Sequence, residues 1–216
     1  IVGVENVKVN EIFLSIQGES FSSGFPTIFV RFTGCNLRCS YCDTTYSYNE
    51  GIEMSPEEIL EEIKKLHYNR VCLTGGEPLL QKDIKKLLKI LDGFTVTIET
   101  NGSIKLNSLG LSNRKHSFVM DIKTPSSGCS EEMVLENLEL LEEQDEIKFV
   151  IGDRTDYEWS KNIISRYYKK GTITFSPVYN KINCSEMVKW ILDDRLNVRF
   201  QLQLHKFIWG PDATGV

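Results

Sequence analysis

No run among the 216 residues approaches the roughly 18 to 20 consecutive apolar residues that a membrane-spanning helix requires. The N-terminus, IVGVENVKVNEIF, has neither the basic head nor the cleavage site of a secretory leader, so a cytoplasmic protein with no membrane partner is expected. Positive charge is also scarce. The 25 Lys and Arg against 30 Asp and Glu give a formal charge of −5, which argues against a broad grip on a nucleic-acid backbone while leaving room for a local basic pocket. Repeats and low-complexity segments are missing, and 41% hydrophobic with 25% charged residues excludes disordered and fibrous classes. The six cysteines are too few and too unevenly spaced for the disulfide framework of a small secreted domain, which leaves reduced thiols available as ligands.

What is present suggests one substantial core, with residues 1–216 expected to form a single domain. Short β-rich runs at 26–32, 70–74, 94–100, 116–123, 146–151, 172–176 and 198–203 alternate with helical patterns. Ser55, Pro56 and Glu58 spell a capping box ahead of a helix through Leu66, and Thr155 with Glu158 repeats the signal ahead of a helix through Tyr168. LLQKDIKKLLKIL (79–91), EEMVLENLELL (131–141) and SEMVKWILDD (185–194) supply three more helices. Strands joined by helix-length crossovers pair in parallel. About six such units fall short of the eight that close a full barrel, so the expected α/β fold is an incomplete TIM-like barrel. Residues 4–16 are expected to add a strand at one edge, and the tail 210–216 leaves order and disorder both open. The acidic run 131–146, with eight acids and no base, reads as a solvated helix face.

GCNLRC, TGGEP, ETNG, DIKTP, SPVY and QLH each follow one of the β-rich runs. In parallel barrels the carboxyl ends of the strands gather the active-site loops. Singly, each motif reads as turn chemistry, but together they outline one face.

The densest of them is GCNLRCSYCDTTY (34–46), where Cys35, Cys39 and Cys42 form C-x₃-C-x₂-C. A closed zinc site needs a fourth Cys or His close by, and the nearest histidine, His67, falls inside a predicted helix. Three thiolates suit an iron–sulfur cluster better, because they leave one iron open to an external amine and carboxylate. Cys72 reads as a small buried strand residue, while Cys129 and Cys184 lie in loops and receive no role. His67 and His116 fit a helix face and a strand start.

CNLRCSYC resembles the cysteine signature of the radical S-adenosylmethionine (SAM) superfamily, and TGGEP (74–78) is similar to its glycine-rich second motif. The resemblance implies a [4Fe–4S] cluster on Cys35, Cys39 and Cys42, with SAM on the open iron and a 5′-deoxyadenosyl radical after one-electron reduction. It sets Tyr41 against the adenine, and Gly75, Gly76 and Glu77 around the methionine amine. Within the superfamily, SIQGES (15–20), Arg31, CDTTY (42–46), ETNG (99–102), DIKTPSSG (121–128), SPVY (176–179) and QLHKFIWG (203–210) resemble the 7-carboxy-7-deazaguanine synthase family. That family contracts the ring of 6-carboxy-5,6,7,8-tetrahydropterin with loss of ammonia.

The likeness implies that Ile16, Gln17, Gly18, Glu19, Arg31, Thr74 and His205 lie at the substrate, and that Thr44 binds Mg²⁺. It places Asp121, Ile122 and Lys123, with Ser176, Pro177, Val178 and Tyr179, around the adenosyl group. The residue types make chemical sense. Gln17 and Glu19 can accept the N–H groups of an aminopyrimidinone edge, and Arg31 can fork onto a carboxylate. Standing alone, Glu19 would read as a solvated loop acid, Arg31 as a surface ion pair and Asp43-Thr44-Thr45 as a helix cap. The likeness also implies a flavodoxin or ferredoxin as electron donor, a homodimer, and a place in making queuosine or archaeosine for tRNA. Two rival readings are a glycyl-radical activating enzyme, which would lack the Gln17, Glu19 and Arg31 set, and a non-enzymatic iron–sulfur electron carrier or zinc-binding module.

Overall fold

The computed structural model describes residues 6–109, 114–168 and 170–216. Residues 4 and 5 of the expected first strand lie outside that range. β1 (Val7–Ile16) and β2 (Pro26–Phe32) form an antiparallel hairpin, and the short β3 (Ile52–Met54) pairs antiparallel with β1 on its other side. β4 (Arg70–Gly75), β5 (Thr95–Thr100), β6 (Ser117–Ile122), β7 (Glu146–Ile151), β8 (Thr172–Pro177) and β9 (Arg199–Phe200) then add in chain order. All pair in parallel from β2 onward, giving the nine-stranded order β3-β1-β2-β4-β5-β6-β7-β8-β9. The sheet has two free edges, as an incomplete barrel must. The outermost strand beside the hairpin is β3, so the N-terminal strand expected at the edge is second from it.

The parallel strands read as largely apolar runs because helices cover one face, with the core between them and the sheet, and the other face turns inward to line a cavity. Ile28, Val30, Leu73, Ile98, Phe118, Met120, Ile147 and Phe149 are all buried. The crossovers are α1 (Pro56–Lys65), α2 (Ile84–Ile90), α3 (Asn137–Leu140), α4 (Arg154–Tyr167) and α5 (Cys184–Asp193), with α6 (Leu204–Ile208) after β9. α1 starts on the expected capping box: Glu58 N donates to Ser55 Oγ, and Ser55 N donates to Glu58 Oε2 at 2.7 Å. Its buried Ile59 and Ile63 face the sheet.

Several local expectations are not met, two of them because amide side chains make tertiary hydrogen bonds. α4 is capped by Asp153, whose extended backbone lets Oδ1 accept from Asp156 N at 2.9 Å, so Thr155 lies inside the helix. The predicted helix 79–91 breaks at Gln81. That side chain accepts from Lys8 N at 3.0 Å and donates to Thr33 O at 2.9 Å, drawing the chain toward the sheet. The predicted helix 131–141 collapses to a single turn at α3, because buried Asn137 serves as a bracket: its Nδ2 donates to Ile104 O and its Oδ1 accepts from Leu106 N. His67 stands past the end of α1 with a positive φ of 56°, outside the helix that was to contain it. The acidic run is not wholly solvated either, since Asp145 and Glu146 are buried at the start of β7.

The gap between the hairpin and β9 is closed by side chains instead of a strand ladder. Ser20 N donates to Gln201 Oε1 at 2.6 Å, Gln201 Nε2 returns a bond to Ser20 O at 2.9 Å, and Gln203 Nε2 donates to Glu19 Oε1 at 2.8 Å. Leu204 N reaches Gly18 O at 3.0 Å. Gly18 is required there, because a Cβ would lie 2.2 Å from His205 Nδ1. Of the run 198–203 only Arg199 and Phe200 form strand, and Gln201 N still donates to Phe175 O of β8 at 3.0 Å.

Candidate active site

The carboxyl ends of the parallel strands surround a cavity of about 560 Å³, within the usual range for cofactor and small-ligand sites. Cys35, Cys39 and Cys42, on the loop after β2, form part of its wall. Cys35 Sγ is approached by Leu37 N at 3.4 Å and Asn101 Nδ2 at 3.7 Å. Burial pushes the Cys39 thiol up to about 12, so a metal must displace its proton to make it a ligand. Among the described residues no three His, Cys, Asp or Glu side chains stand close enough to hold one metal ion. A cubane gives each thiolate its own iron and needs no such convergence. Three thiols from one loop, lining one cavity, are a donor set that such a cluster can use.

The glycine-rich motif closes against this loop. Gly76 N donates to Phe32 O at 3.0 Å and Glu77 N to Gly34 O at 2.8 Å. A Cβ on Gly76 would lie 1.9 Å from Gly34 O, so glycine here lets two strand ends of the protein itself meet. Gly75 and Gly76 line the cavity, whereas the Glu77 side chain does not. Its carboxylate is fully buried and accepts from Leu79 N, Thr100 Oγ1 and Asn101 N, the last at 2.6 Å. Burial raises its pKa against these donors. The Glu77 side chain thus fastens β4 to β5 instead of facing a cofactor.

Ile16, Gln17, Gly18, Glu19, Arg31, Thr74 and His205, the residues that the resemblance sets at the substrate, all line the cavity. Glu99, left without a role at the sequence level, organises several of them: it accepts from Gln17 Nε2 at 3.0 Å and from Thr74 Oγ1 at 2.8 Å. Gln17 Oε1 in turn accepts from Glu19 N at 3.2 Å. Burial opposes ionisation of Glu19, but the Lys148 charge and hydrogen bonds from Lys148 and Gln203 outweigh it and lower its pKa. Arg31 packs against the rings of Phe13 and Tyr46 and is anchored through Nε to Glu11 Oε1 at 2.7 Å. Thr44 Oγ1 donates to Asp43 Oδ1 at 3.0 Å. Burial would raise Asp43, but Lys206, 2.7 Å from Oδ2, holds it down at about 2.

Tyr41, Asp121, Lys123, Val178 and Tyr179 also line the cavity. Three other expected residues do not. Ile122 points into the hydrophobic core, as strand alternation dictates beside Asp121 and Lys123, while Ser176 and Pro177 are buried at the end of β8. Asp121 carries a signature of unmet demand, since its Oδ1 is buried with no hydrogen-bond partner among the described residues. Lys148 was also overlooked. Its signal was available: a lone lysine inside the apolar run EIKFVI must either break the core or face a polar cavity. Cys72 and Cys129 are buried and Cys184 opens α5.

Residues 29–193 match the Radical SAM superfamily. Over 98% of its length the chain is 41% identical to the 7-carboxy-7-deazaguanine synthase of Clostridium acetobutylicum, covering 100% of that protein. The chain belongs to this synthase family. The corresponding synthase of Koribacter versatilis is 38% identical over 97% of the chain and 100% of its own length. The crystal structure of QueE from Escherichia coli superposes with a TM-score of 0.76 at 24% identity, covering 93% of this chain and 95% of that one, and shows a shared fold. Membership of the radical SAM synthase family implies a [4Fe–4S] cluster and SAM as cofactors and a small-molecule substrate. No helix among the described residues is long and apolar enough to cross a membrane.

Proposed function

We propose that the protein converts 6-carboxy-5,6,7,8-tetrahydropterin to 7-carboxy-7-deazaguanine with loss of ammonia, as a carbon–nitrogen lyase. One observation carries the reading: the thiols of C-x₃-C-x₂-C share a single cavity with Glu19, Gln17 and Arg31. Cys35, Cys39 and Cys42 would hold the cluster, and SAM would occupy the half lined by Tyr41, Asp121, Lys123, Val178 and Tyr179. When bound, the two supply a 5′-deoxyadenosyl radical that takes a hydrogen atom from the pterin.

The chain's own residues bind and orient. Ionised Glu19 accepts N–H groups from the aminopyrimidinone edge, held in place by Lys148 and Gln203. Arg31, fixed at Nε by Glu11, offers its terminal amino groups to the carboxylate. Thr44 donates its hydroxyl proton to Asp43, which leaves the oxygen's lone pairs free, so Thr44 would help hold Mg²⁺. Thr74, Ile16 and His205 complete the substrate wall. We further propose a single domain, a homodimer in the cytoplasm, flavodoxin or ferredoxin as electron donor, and a product destined for queuosine or archaeosine in tRNA.

Anaerobic incubation of the reconstituted protein with SAM, a reductant and the carboxylated pterin should yield the deazaguanine and ammonia, followed by chromatography and mass spectrometry. Thr44→Ala should lower the rate and abolish its dependence on Mg²⁺. Release of 5′-deoxyadenosine without deazaguanine from the unsubstituted protein would overturn the reading.

A further inference from the structure

Lys148 projects from the middle of β7, where it is the register partner of Asp121 on β6. Its Nζ lies 2.6 Å from Glu19 Oε2 and 3.4 Å from Asp121 Oδ2. The same Asp121 oxygen is 3.0 Å from Lys123 Nζ. The side chains of Lys148, Glu19 and Asp121 are only 12%, 14% and 18% exposed, so water screens these charges weakly. One ammonium is therefore shared between an acid from the β1–β2 loop and an acid from β6, which stand in the two halves of the cavity.

That sharing makes the halves interdependent. N–H donors arriving on Glu19 replace part of what Lys148 provides there, which lets the ammonium move its hydrogen bonding toward Asp121. Asp121 is then held ionised and fixed, with its unpartnered Oδ1 turned to accept a ligand hydroxyl. A hydroxyl on Asp121 acts in the reverse direction. We propose that Lys148 is a positioning residue that couples the two halves, so that occupation of either one raises affinity at the other. Such coupling is reciprocal by thermodynamic necessity. The inference rests on the assignment of these halves to pterin and SAM made above.

The test uses cluster-reconstituted enzyme without reductant, so that binding is measured in the absence of turnover. Calorimetric titration of SAM with and without saturating 6-carboxytetrahydropterin should show tightening by about 5- to 150-fold in the unsubstituted protein, the usual span of such coupling. In Lys148→Met the ratio should fall below about twofold, and Lys148→Arg should restore most of it. A merely structural lysine would lower thermal stability and leave the ratio intact. Should Lys148→Met lose its fold, judged by circular dichroism and iron content, Lys148→Gln keeps a donor without the charge and is expected to lose the coupling likewise. An unchanged ratio in either folded variant overturns this inference alone. Failure of the unsubstituted enzyme to make deazaguanine once reductant is added overturns the functional reading, and this inference with it.

Discussion

The two ends of the barrel each bury an ion-pair network, and the networks are built to opposite ends. At the amino ends of β6 and β7, Arg114 and Asp145 pair with side-chain exposures of 1% and 0%. Asp145 also accepts a backbone N–H on each oxygen, Phe118 N at 2.8 Å and Glu142 N at 2.7 Å. At the carboxyl ends, Glu19, Lys148, Asp121 and Lys123 alternate in sign around the cavity, yet Asp121 Oδ1 finds no partner among the described residues. Arg114 Nε is also without a partner among the described residues, so the difference between the two networks is access: Asp121 lines the cavity, where a ligand can meet its free oxygen, and Arg114 and Asp145 do not.

This contrast can be broken by substitution. The largest effect is expected from Asp145→Ala, which leaves buried Arg114 with only Glu142 Oε2, 3.7 Å away, as a counter-charge and should cost about 3–5 kcal/mol in urea unfolding. A loss under about 1 kcal/mol would show that the amino-end pair is dispensable. Glu19→Gln keeps the shape and removes the charge, so kcat/KM for the pterin should fall by about 10- to 100-fold, the equivalent of roughly 1.5–3 kcal/mol for a charge-assisted hydrogen bond. Most of that loss should appear in KM, and equal kinetics in the variant would remove Glu19 from the substrate wall.

The smallest effect sharpens the amino-end side. His116 packs edge-on against Phe118, and burial, reinforced by the Arg114 charge, depresses its pKa to about 4. Between about pH 6.5 and 4 the unfolded chain then binds the extra proton, so His116 makes stability decline as pH falls through that window and adds no further slope below it. His116→Gln should therefore lose less stability than the parent between pH 7 and pH 5, measured by urea midpoints. Parallel losses in the two proteins would show that His116 is freely protonated in the fold.

Much of the fold was legible because parallel strands buried on both faces announce themselves as apolar runs. β2 and β7 fall on the expected residues, and the Ser55–Glu58 box starts α1 where the pattern places it. The helix expected at 131–141 was illegible for a definite reason. Its apolar spacing is real, but buried Asn137 gains three backbone partners by holding the chain in a single turn against residues 102–106. Gln81 likewise trades local structure for distant backbone groups. Amide side chains act at any sequence separation, and periodicity has no term for them.

By itself the sequence determined the strand-and-helix alternation, the placement of polar motifs at the strand ends and the three thiols that leave a cluster open, because hydrophobic period and ligand spacing are local properties. Only the tertiary structure decided that Glu77 would serve the scaffold, that Glu99 and Lys148 would organise the cavity, and that side chains would close the barrel's gap. Those outcomes depend on which charges and amides meet across more than a hundred residues of chain, as Glu19 and Lys148 do, and that meeting is fixed by how the strands pack.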